Sequence, residues 1–87
     1  MKVFKPSKKF EKGLKKLTKN TESALAEKMR IFNDNEFDKR LNNHKLHGEY
    51  INCRSINITS DYRLIYRKVS DEVYLLLAIG THSELYS

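Results

Sequence analysis

Ser60-Asp61-Tyr62-Arg63-Leu64-Ile65-Tyr66 reads as a turn running into a strand, and its alternation decides the fold because it assigns a side to every residue. A period of two puts Tyr62, Leu64 and Tyr66 on one face and Arg63, Ile65 and Arg67 on the other. One face suits a core, and the other offers guanidinium groups, which makes an anion-binding surface on a rigid element. Downstream, Ser70-Asp71-Glu72 turns the chain, and Val73–Ile79 is apolar on both faces, the pattern of a strand covered on both sides and therefore central. Upstream, Tyr50–Ile58 predicts a strand with Arg54 inside it, joined to Tyr62–Lys68 by the Thr59-Ser60-Asp61 turn. The three strands predict an antiparallel meander.

The N-terminal half has a different period. Met1–Lys5 alternates and suits a short strand ended by Pro6. Ser7 can cap a helix, and Phe10, Leu14 and Leu17 follow as one apolar stripe among lysines, predicting a helix over Ser7–Lys19 that Gly13 weakens at its middle. Asn20-Thr21 reads as a break and a new cap, and Leu25, Met29 and Phe32 mark a second helix over Glu22–Phe32. Phe37 and Leu41 add a turn before a polar loop, Asn42–Gly48. The expectation is an α+β domain spanning residues 1–87, of order β-α-α-β-β-β, with a helical hairpin packed on one face of a small, mainly antiparallel sheet.

The chain has 87 residues, enough for one small core. A single cysteine, Cys53, excludes an internal disulfide and fits a reducing compartment. No apolar run approaches the ~18 residues that span a bilayer, and Met1–Phe10 lacks a signal peptide's apolar stretch, so a soluble, cytoplasmic protein without a membrane partner is expected. The net charge of +6 is uneven: residues 1–20 hold eight lysines against Glu11 alone, while residues 21–87 carry nine basic and ten acidic side chains. Such a patch attracts polyanions, or simply solvates a helix face.

His44, His47 and His82 lie in or beside loops, with Asp61 at the strand turn, and these are the groups able to move a proton near neutral pH. His44 and His47 with Cys53 make a weak zinc pattern, since a structural zinc site wants four ligands; no cofactor or metal is expected. Arg54, Arg63 and Arg67 come from paired strands and match phosphate oxygens, or form a solvated sheet face. Tyr86 can stack on a base or cover the core edge. An acid, arginines, a histidine and an aromatic thus converge at one end of a short sheet.

The order of elements, with His44 and Gly48 ahead of a strand carrying Arg54, then Asp61-Tyr-Arg-Leu-Ile-Tyr66, an apolar strand, and Gly80-Thr-His82-Ser-Glu-Leu-Tyr86, resembles the RelE/YafQ family of toxins from bacterial type II toxin–antitoxin systems. The resemblance covers essentially the whole chain, and the Gly-Thr-His ending points to the YafQ branch.

The resemblance implies a RelE/ParE-like fold and a metal-independent messenger-RNA endoribonuclease that cuts at the ribosomal A site by 2′-hydroxyl attack. It implies the ribosome, messenger RNA and a cognate antitoxin as partners. By position His82 would be the acid, Asp61 or His44 the base, Arg63 the phosphate ligand and Tyr86 the group that orients the substrate. Arg54, Asn57 and His47 would support RNA binding, and Lys8, Lys9, Lys12, Lys15 and Lys16 on the first helix would meet ribosomal RNA. Two positions depart from the family: Asn57 stands where YafQ-like toxins carry a histidine, and Ser55 where they carry an aspartate. Asparagine cannot shuttle a proton near neutral pH. The alternatives are a non-catalytic binding module on the same fold, such as a ParE-like gyrase inhibitor, and a degenerate toxin acting only through its antitoxin.

Overall fold

Ser7 begins the first helix in the way its position predicts: its hydroxyl accepts from the Phe10 N–H at 3.0 Å and donates to the Leu77 carbonyl at 2.9 Å, fixing the helix start to the sheet. In this computed structural model, which describes residues 1–86, the chain runs β1 (Val3–Pro6), α1 (Lys8–Leu14), α2 (Lys19–Asp34), β2 (His44–Lys45), β3 (Arg54–Asn57), β4 (Tyr62–Lys68), β5 (Val73–Thr81) and α3 (His82–Tyr86). Single 3-10 turns at Lys39–Leu41 and Gly48–Tyr50 flank β2. The sheet has five strands in the order β1-β5-β4-β3-β2, antiparallel except where β1 pairs parallel with β5.

Element boundaries depart from the sequence reading for local reasons. Helix α1 stops at Leu14, and α2 starts a turn earlier than predicted because Thr18, not Thr21, is its cap: the Thr18 hydroxyl accepts from the Thr21 N–H at 3.2 Å. Strand β3 is shorter than predicted, since Gly48 and Asn52 take left-handed φ of 68° and 70° and break the extended run before it. The polar loop holds a two-residue strand, β2, with His44 opposite Ser55 and Lys45 opposite Arg54. Helix α3 follows β5 directly, started by a reciprocal cap in which the Glu84 N–H donates to the Thr81 hydroxyl (3.2 Å) and the Thr81 N–H to the Glu84 carboxylate (2.7 Å).

The core divides by sheet face, as the alternation of β4 requires. Leu64 and Tyr66 face α1 and α2, where they pack with Phe10, Phe32, Ile56 and Tyr74. Ile65 faces the opposite side with Cys53, Ala78 and Leu85, a smaller cluster covered by α3 and the segment around Leu46 and Tyr50. Gly13 is where α1 touches the sheet. A Cβ there would lie 2.5 Å from the Ile79 carbonyl oxygen, so its small size permits contact rather than merely weakening the helix. Gly13→Ala is expected to destabilise the protein by about 1–3 kcal/mol through overpacking, outweighing the helix propensity gained; a thermal melt showing an unchanged or raised Tm would contradict the close approach.

Behind the sheet sits a buried carboxylate. Glu36 is 6% exposed and accepts from the hydroxyls of Tyr66 (2.5 Å) and Tyr74 (3.0 Å), with Lys68 Nζ 3.7 Å away. Burial first, and the Glu36 bond second, raise both phenols above their usual pKa, Tyr66 by a wide margin. Asn43 extends this network: its amide nitrogen donates to the Tyr66 hydroxyl (2.7 Å) and the Glu36 carbonyl (3.0 Å), and its amide oxygen accepts from Arg54 Nε (2.6 Å).

Candidate functional site

The sheet face opposite α1 and α2 carries the groups able to do chemistry. Register puts His44 of β2 beside Ser55 of β3, and Asn57 of β3 beside Arg63 of β4, which in turn faces Gly80 of β5. Helix α3 then rises from the end of β5 and presents His82 and Tyr86, with ring centroids 4.7 Å apart. A hollow of about 300 Å³ is lined by His44, Lys45, Leu46, His47, Arg63, His82 and Tyr86.

Arg63 is held by one nitrogen. Its Nη1 donates to the carbonyls of Thr59 (3.0 Å), Ser60 (3.0 Å) and Tyr62 (3.2 Å), which fixes the guanidinium against the turn. Among the described residues its Nε and Nη2 make no hydrogen bond, so a planar donor pair stays available to an anion. His82 is exposed, and its backbone N–H donates to the Asp61 carbonyl at 3.2 Å. His44 is exposed too, with Nδ1 2.9 Å from the Asn42 carbonyl oxygen.

Other residues singled out in the sequence lie elsewhere. Asp61 is exposed on the β3–β4 turn and touches α3 through its backbone, while its side chain is not part of the hollow's wall. Arg54 pairs with Tyr66 in register and so points to the helix side, where its guanidinium bonds Asn43 and lies 5.1 Å from the Phe37 ring centroid. It borders a second hollow of about 310 Å³ with Lys45, Leu46, His47, Ile51, Asn52, Cys53 and Lys68. Asn57 Oδ1 and Ser55 Oγ are buried with no hydrogen-bond partner among the described residues.

The lysines expected on the first helix divide: Lys8, Lys9 and Lys12 lie on α1, whereas Lys15 and Lys16 fall in the turn after its end at Leu14. Lys9 Nζ donates to the Tyr50 hydroxyl at 3.0 Å; Lys9, Lys12 and Lys16 border a third hollow of about 240 Å³ beside Tyr62, Gly80 and Glu84. Lys8 and Lys15 are exposed and line none of these hollows. Among the described residues, no three His, Cys, Asp or Glu side chains gather closely enough to hold a metal ion. The buried Cys53 thiol has its pKa raised by burial, which makes it a poor nucleophile.

Sequence reasoning missed Tyr50, whose ring packs edge-on against Tyr86 at 6.1 Å and so braces the aromatic beside His82. It also missed Lys45 and Leu46, because a two-residue strand gives no readable period.

No helix among the described residues is long and apolar enough to cross a membrane. The family described as the bacterial toxin of type II toxin–antitoxin systems, YafQ, matches residues 2–87. A search of curated proteins finds no match. Among solved structures, that of YafQ from Escherichia coli strain BL21(DE3) superposes with a TM-score of 0.83 at 21% identity, each chain covered completely. The E. coli DinJ–YafQ toxin–antitoxin complex gives a TM-score of 0.79 at 23% identity, covering 99% of this chain and 98% of the other. A YoeB/ParE toxin from Agrobacterium tumefaciens gives 0.75 at 16% identity over 94% of this chain and 99% of the other, so the fold is shared beyond YafQ. Matched to that family over residues 2–87, the chain belongs to the YafQ family of bacterial toxins of type II toxin–antitoxin systems.

Proposed function

We propose that this toxin is an endoribonuclease that cuts messenger RNA at the ribosomal A site. The observation that carries the reading is the shared hollow of His44, Arg63, His82 and Tyr86, which come from β2, β4 and α3. Cleavage by the ribose 2′-hydroxyl needs a base for that hydroxyl, an acid for the departing 5′-oxygen and a cation for the phosphorane charge. His44 takes the first role in preference to Asp61, whose side chain stands outside the hollow. His82 takes the second. Arg63, anchored through Nη1, offers its remaining N–H groups to the non-bridging oxygens. Tyr86 gives a base a surface to stack on.

Lys8, Lys9 and Lys12 of α1, with Lys15 and Lys16 of the turn after it, make the attachment surface for ribosomal RNA, and their contribution falls with salt. The partner is a cognate antitoxin with an acidic or amphipathic helical segment able to cover a basic face, a reading supported by the complex that E. coli YafQ forms with DinJ.

The test is to add purified protein to translating ribosomes carrying a defined messenger RNA and map cut ends by primer extension, with ribosome-free RNA alongside. Discrete cuts within A-site codons, absent without ribosomes, are expected. Intact RNA in every lane from a folded protein would shift the weight to the binding module or to the degenerate toxin, the second of which Ser55 and Asn57 motivate, and make DNA supercoiling the next assay.

A further inference from the structure

We propose that the backbone carbonyl of Asn42 fixes the tautomer and orientation of His44, making Asn42 a positioning residue for proton transfer in the hollow; this rests on the reading of His44 as the base. A carbonyl oxygen only accepts, so the 2.9 Å contact with His44 Nδ1 requires the proton on Nδ1. The neutral ring then carries its lone pair on Nε2, on the ring edge away from Asn42, and Nε2 is the atom able to receive a proton.

Local backbone geometry aims the carbonyl. Asn42 has φ 49° and ψ 50°, the left-handed region, where it terminates the Lys39–Leu41 turn with its own N–H donating to the Lys39 carbonyl at 3.2 Å. Asparagine is one of the few residues with a side chain that visits this region routinely. The two residues that follow are also held. Asn43 is tied to Tyr66, Glu36 and Arg54, and His44 is laddered to Ser55. The carbonyl therefore does not depend on a loose loop.

In the reaction, the 2′-oxygen bonds to phosphorus as its proton passes to His44 Nε2. The bond from phosphorus to the 5′-oxygen breaks as that oxygen takes a proton from His82. The imidazolium formed at His44 keeps its Nδ1–H on the Asn42 carbonyl, which stabilises the new charge. Sequence alone gives no hint of this, because the contributing group is backbone.

The test is a long-range ¹H–¹⁵N correlation spectrum of the histidine rings in the RNA-free, ¹⁵N-labelled protein at alkaline pH, where imidazoles are neutral. The expected pattern for His44 is a protonated Nδ1 and an unprotonated Nε2 resonating far downfield. Asn42→Gly, which takes the left-handed conformation freely, is expected to keep the pattern, and Asn42→Val, which resists it, to shift protonation toward Nε2. An Nε2–H pattern in the unaltered protein overturns the proposal, as does an unchanged pattern in folded Asn42→Val; if that variant does not fold, Asn42→Ala gives the same comparison at lower strain. The nuclease reading is judged separately from cut RNA ends, so the failure of either can be told from the failure of the other.

Discussion

His82→Ala is expected to lower RNA cleavage by about 10²–10⁴-fold, the usual range for loss of a positioned general acid. The fold should survive, because the His82 side chain is exposed and its described ring contact is with Tyr86. The bond that matters structurally, from its backbone N–H to the Asp61 carbonyl, is independent of the side chain. Alanine also suits the first turn of α3. Single-turnover cleavage on mRNA-loaded ribosomes, with a thermal melt of the same preparation, checks both halves. Full activity in a folded variant would remove His82 from the mechanism, whereas loss of activity accompanied by a collapsed Tm would mean that α3 holds the sheet together and the test must be repeated with His82→Gln.

Glu36→Ala is expected to destabilise the protein by about 2–4 kcal/mol, because two buried phenols lose their acceptor at once. For a domain of this size that corresponds to a fall in Tm of roughly 10–25 °C. Glu36→Gln should cost less, since one amide oxygen can still accept from one of the tyrosines while the amide nitrogen cannot replace the second acceptor. The loss extends to the site through Asn43, which bonds both the Glu36 carbonyl and the Tyr66 hydroxyl and immediately precedes His44. Differential scanning calorimetry of the two variants decides the matter: a Tm for Glu36→Ala within a couple of degrees of the parent would show that water replaces the carboxylate without cost.

The parts of the fold legible in the sequence are those in which one residue type per side suffices. Leu64 and Tyr66 differ in chemistry from Arg63 and Arg67, so β4 declares both its faces, and Val73–Ile79 declares a strand covered on both sides. Helix starts are harder because Thr18 and Thr21 are equally good caps by composition, and only packing of α2 against the sheet chooses between them. Helix α3 carried a readable signal, the Thr81-x-x-Glu84 spacing of a capping box, hidden by its brevity. Two residues are too few to show a period, so β2 was illegible. Site geometry depends on register, which alternation within a strand does not determine. Arg54 and Arg63 look equivalent in the sequence, yet Arg54 lies opposite Tyr66 and Arg63 opposite Asn57, one on each side of the sheet. Glu36 reads as one surface acid among several until two distant tyrosines converge on it.

The parallel pairing of β1 with β5, Val3 with Val73 through Pro6 with Leu76, also governs when the protein becomes itself. Contacts so distant in sequence close late and slow folding relative to a helical protein of similar length. A growing chain cannot form this pairing until its β5 segment has been synthesised. Arg63 then has no β5 partner at Gly80, and His82 has no helix to stand on. For most of elongation, the ribosome making this protein therefore carries a polypeptide in which the hollow does not exist.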